Sequence, residues 1–115
     1  MRGNEGNEMG DGCLEKSIIN IVEAHCADFD RRMLCVKGHS VTKRTEAEYR
    51  YLNAAVYTGA VNIVGKELAP IYIYEIGRKL GYAHSSVEGV GEVKYKNTKK
   101  LIKESIAKEL HLVDK

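Results

Sequence analysis

The sequence predicts an α+β fold: a single small domain of about four helices packed on one or two short strands. At 115 residues and 43% hydrophobic, the chain holds enough apolar material for one modest core. Apolar residues recur at helical spacing in several stretches, whereas two short runs, MLCVK at 33–37 and EVKYK at 92–96, have strand composition or alternation. The opening residues MRGNEGNEMGDG carry only Met1 and Met9 as apolar side chains, so ordering them would cost entropy with nothing to bury. The expected organisation is a disordered tail at 1–12 and one domain at 13–115.

The first helix is expected over 13–28, with Asp11 as N-cap and Leu14, Ile18, Ile21, Val22 and Phe29 one and two turns apart. The strand at 33–37 follows and stops at Gly38. Thr45 with Glu48 three residues later reads as a capping box opening a second helix, whose apolar stripe is Leu52, Val56, Gly59/Ala60 and Ile63. The small residues on that stripe let another backbone approach, which places Gly59 and Ala60 at a helix contact. Gly65, or Ala69 with Pro70, marks a break. Residues 71–80 alternate like a strand as IYIY, yet Ile73, Ile76, Gly77 and Leu80 share a helical face, and a helix is expected. HSSVEGVG at 84–91 reads as a loop. An edge strand at 92–96 precedes a last helix capped by Asn97 or Thr98 and carrying Leu101, Ile102, Ile106 and Leu110.

Charge excludes a dominant electrostatic function. Eighteen Lys+Arg stand against 16 Asp+Glu, so a formal net charge of +2 gives no long-range field, and any polyanion partner needs a local patch. Two such patches exist: Arg31, Arg32, Lys37, Lys43, Arg44 and Arg50 within 31–50, and Lys94, Lys96, Lys99, Lys100 and Lys103 within 94–103, interleaved with Tyr95. Lysines bind phosphates, and an aromatic among them can stack on a base. The longest uncharged stretch, 51–65, includes Asn53 and Asn62 and falls short of the roughly 20 apolar residues a membrane span needs. No apolar run of the secretory type opens the chain, and three cysteines cannot all pair internally, so a reducing cytoplasm is the expected location.

Chemistry-bearing residues are sparse. His25, Cys26, Cys35 and His39 are soft ligands, and the Cys35 to His39 spacing suits a zinc chelate, but no paired-cysteine knuckle accompanies it and no metal is expected. Cys35 with His39 and Asp28 or Asp30, or Ser85 with His84, supply a nucleophile and a base without a surrounding motif. Gly89-Val90-Gly91 lacks the Lys-Ser/Thr of a phosphate loop. No cofactor and no catalytic centre are therefore expected.

YIYEIGRKLG, followed by a loop and the amphipathic LIKESIAKEL, resembles the front half of the vinyl-reductase domain, through Tyr74, Glu75, Gly77, Arg78, Leu80 and Gly81. The resemblance covers 70–112. Its members continue into a strand pair and a cysteine cluster, whereas this sequence has only three residues after Leu112, which reads as a domain cut short. The cysteine site is not carried over. The resemblance implies a homodimeric module that binds a small hydrophobic ligand or serves assembly. Its cavity would be lined by Tyr72, Ile73, Tyr74 and Ile76, which combine apolar area with orienting hydroxyls. The runner-up is a nucleic-acid-binding regulator using the basic clusters at 31–50 and 94–103.

Overall fold

A computed structural model describes residues 14–114; the expected tail at 1–12, the Asp11 cap and Cys13 lie outside them. Four α-helices and one short 3-10 turn follow in order: α1 (Lys16–Ala27), α2 (Phe29–Lys37), α3 (Lys43–Arg78), the turn Tyr82–His84, and α4 (Glu92–Glu109). Among the described residues there is no strand, so the α+β expectation is corrected to an all-helical fold.

Both expected strands are helix, for identifiable reasons. In 33–37 only Val36 is β-branched; Met33, Leu34 and Lys37 are good helix formers, and Asp28 serves as both C-cap of α1 and N-cap of α2. The Asp28 carbonyl accepts from the Arg32 N–H at 2.9 Å, so only Asp28 separates α1 from α2, leaving no room for an extended segment. In 92–96 the two-residue alternation is a coincidence over five residues. Tyr95, Ile102 and Ile106, all fully buried, continue a helical period upstream of Asn97, and α4 begins at Glu92 with Gly91 as its N-cap.

The long helix α3 organises the domain by packing on α1, α2 and α4. Its cap is Thr42, whose hydroxyl accepts from the Thr45 N–H at 3.2 Å, three residues before the expected box. Its break is at Gly65, which takes φ 85° and ψ 172°, a backbone region open to glycine; Pro70 lies inside the following helical stretch. The bend lets both halves contribute to one core: Val56 and Ala60 from the first, Ala69, Tyr72, Ile73 and Ile76 from the second. Small residues set two close approaches. Gly59 lies against the Ile106 backbone of α4, as the small-residue stripe predicts, and Gly77 against Ala27 at the end of α1. Polar bonds fix α2. The buried Arg32 donates to the Asn53 side chain at 2.7 Å and the His25 carbonyl at 2.8 Å, while Asn53 donates to the Phe29 carbonyl at 3.0 Å.

Candidate nucleic-acid interface

The candidate region is built from a buried carboxylate outward. Glu75 sits on the core-facing side of α3, 1% exposed, and accepts three bonds: from the Tyr95 hydroxyl and the Ser85 hydroxyl at 2.7 Å each, and from the Ser86 N–H at 2.6 Å. Burial alone would raise its pKa. The donors, with Lys99 adding positive charge, outweigh burial and hold the carboxyl below its usual range. Tyr95 is correspondingly pushed up to about 12, first by burial and then by its bond to Glu75. One side chain thus ties together the end of α3, the connection at 79–91 and the first turn of α4.

Aromatic packing completes the brace. Tyr95 stacks on Tyr72 with ring centres 5.8 Å apart and meets Tyr82 at the same distance, and the Tyr82 hydroxyl donates to the Val90 carbonyl at 3.0 Å. Lys99 lies over the other part of the Tyr95 ring at 4.6 Å and donates to the Leu80 carbonyl at 2.8 Å. Tyr95 is therefore a core residue, fully buried, and cannot stack on a base.

With Tyr95, Ile102 and Ile106 turned inward, helical geometry turns Val93, Lys94, Asn97, Lys100 and Leu101 outward. All five are exposed, Val93 at 73% and Leu101 at 49%. Lys94 and Lys100 make no ion pair among the described residues, whereas Lys96 pairs with Glu92 at 2.9 Å. The outward side of α4 thus presents two ammonium groups without an ion-pair partner among the described residues, an amide and two apolar side chains on one helix. In the other basic cluster the cations are more occupied. Arg31 approaches Asp28 and Tyr49, Arg32 is buried, and Arg50 is bonded to Glu46 at 3.0 Å, leaving Lys37, Lys43 and Arg44 exposed.

The expected ligand-lining residues are divided by the fold. Tyr72 and Ile76 face the core. Ile73, although only 2% exposed, and the half-exposed Tyr74 line a groove of about 630 Å³ between α2 and the second half of α3. Phe29, Met33, Leu34 and Tyr57 form the rest of its apolar wall, and Arg78, its guanidinium 5.2 Å from the Tyr74 ring centre, stands at its edge.

The remaining candidates are not assembled into a centre. Among the described residues no three of His, Cys, Asp or Glu are placed to hold a metal ion. Burial pushes the Cys26 thiol up to about 12, which keeps it protonated and unreactive. Ser85 spends its hydroxyl proton on Glu75. Among the described residues, no helix is long and apolar enough to cross a membrane. Sequence reasoning missed Glu75 as the organiser of this region; its signal was a lone carboxylate in the otherwise apolar run IYIYEIG. Compared with protein-family models, curated proteins and solved structures, the chain has no significant match to any of them.

Proposed function

We propose that this chain is a nucleic-acid-binding module that presents the outward side of α4 to a duplex. The observation that carries the reading is the combination on one exposed helical face of Lys94, Asn97 and Lys100 with Val93 and Leu101. The lysines neutralise backbone phosphates, asparagine donates to and accepts from the adenine edge, and aliphatic groups meet the thymine methyl, in a groove that admits one α-helix. Positioning comes from below: the Glu75 bonds and the Tyr72, Tyr82 and Tyr95 cluster fix the approach of α4 without using any outward-facing side chain. The near-neutral total charge then makes binding depend on local patches, with this face as the principal one.

Charge reversal tests the reading. The double variant Lys94→Glu, Lys100→Glu alters only exposed side chains, so the fold should persist, while affinity for a random duplex in an anisotropy titration should fall at least tenfold. Removing two phosphate contacts should also reduce the slope of log affinity against log salt by roughly 1.8, at about 0.9 per phosphate. Unchanged affinity and slope would remove α4 from the interface.

A second reading follows the vinyl-reductase-domain resemblance and is supported by the groove beside Ile73 and Tyr74. Its volume, about 630 Å³, falls in the range of small-molecule sites, and its walls are mainly apolar. A hydrophobic ligand seated there would raise the melting temperature by mass action. A homodimer formed through the same surface, where Leu34 is 70% exposed, would instead make stability depend on protein concentration.

A further inference from the structure

A second pocket, of about 470 Å³, opens between the start of α1, the end of α3 and the middle of α4, and shares no residue with the outward side of α4 or with the apolar groove. Four lysines from different parts of the chain line it, Lys16, Lys79, Lys99 and Lys103, with one carboxylate residue, Glu23. Glu23 is bonded to Lys103 at 3.0 Å and approaches Lys79 at 4.0 Å, so it offsets part of this charge and leaves an excess of positive groups. Lys99 is held in place by the Leu80 carbonyl, and Lys16 makes no ion pair among the described residues. Crowding is felt within the cluster: burial first, and Lys103 second, pull Lys99 below the usual lysine range.

Lys79 ends α3 in the left-handed conformation, φ 57° and ψ 39°, and His39 and His111 likewise take positive φ just past α2 and α4. Glycine occupies that conformation at least cost, so Lys79 can be exchanged for glycine without opposing the backbone. Like charges gathered around one pocket repel one another, and an anion of several charges would offset that repulsion.

We propose that this pocket binds the phosphoryl oxygens of a polyanion, with Lys16, Lys79, Lys99 and Lys103 as the cationic donors and the Asn20 amide beside them. A monocarboxylate would leave most of the positive charge unmatched. A chain of two or three phosphates matches it, and the volume exceeds what one phosphate fills. Two sources share this chemistry, a free polyphosphate ligand and the backbone of a nucleic acid held on α4, whose flank carries Lys99 and Lys103.

Lys79→Gly is the informative variant, because glycine suits the backbone and the substitution should leave the ligand-free protein at least as stable as wild type. Thermal melts of the full chain with sodium tripolyphosphate, at ionic strength held constant with sodium chloride, should show a stabilising shift that Lys79→Gly and Lys16→Met each reduce by half or more. Duplex anisotropy on the same variants identifies the source. Loss of the tripolyphosphate shift with duplex affinity intact assigns the pocket to a free polyphosphate; a threefold or greater loss of duplex affinity assigns it to a backbone phosphate. Wild-type behaviour of both variants in both assays overturns the proposal. If Lys94→Glu, Lys100→Glu still abolishes duplex binding in that case, the reading of α4 stands without it.

Discussion

Replacing Glu75 with alanine is expected to be the most damaging polar substitution in the chain, costing about 2–4 kcal/mol. The fully buried Tyr95 hydroxyl loses its acceptor, Ser85 loses its partner, and the Ser86 N–H is left to water at the exposed edge of the connection. For a domain of about 100 residues this corresponds to a fall in Tm of roughly 10–25 °C. Glu75→Gln should cost less, because its amide oxygen still accepts from Tyr95. The two variants also separate in pH. Because the folded-state pKa of Glu75 lies below the ordinary carboxylate value, its stabilisation is fully present above about pH 4.3 and is lost as pH falls through the lower folded value. Glutamine at this position should flatten that acid limb in urea melts recorded from pH 7 down to 3. An acid limb identical to wild type would show that Glu75 is not held ionised.

Gly59→Leu is expected to overpack the contact of α3 with α4. Even a Cβ at Gly59 would stand 2.7 Å from Ile106 Cγ1 and 2.8 Å from its Cα and N, and two of those three atoms are backbone, which cannot rotate away. Helix separation must increase, at a cost of about 1–3 kcal/mol for the overpacking and more if the Tyr72–Tyr95 stack is disturbed. Gly81→Ala is the control: nothing lies within 4 Å of its Cβ position, its φ is −87°, and the change should stay within about 0.5 kcal/mol. A Gly59→Leu variant that melts with wild type would mean that α3 and α4 do not touch there.

The helical framework was legible wherever apolar spacing persisted over three or more turns. The first helix, the stripe around Val56 and Ala60, the helix through Ile73 and Ile76 and the last helix were all readable; a break was readable only as Gly65 or Ala69 with Pro70, and the chain bends at Gly65 while Pro70 stays inside the helix. Short segments were not. Five residues fit two periods almost equally well, so 33–37 and 92–96 read as strands until tertiary packing is known. For α2 the deciding contacts are the bonds of Arg32 to His25 and Asn53, residues distant in sequence. For α4 it is the burial of Tyr95 against Tyr72 and Glu75, which also removes the aromatic from the exposed basic cluster. The cluster at 94–103 was visible as composition. Its division into an outward face with Lys94 and Lys100 and a pocket with Lys99 and Lys103 required the helix to begin at Glu92.

The most direct test of the α4 reading is an amide chemical-shift titration of the ¹⁵N-labelled protein with a short random duplex, repeated at two salt concentrations. Perturbations should concentrate on residues 92–101 and the preceding connection, weaken at the higher salt, and spare residues 29–37 and 70–74 that line the apolar groove. Perturbations confined to the groove, or none along α4 at duplex concentrations above the protein's, would contradict the account.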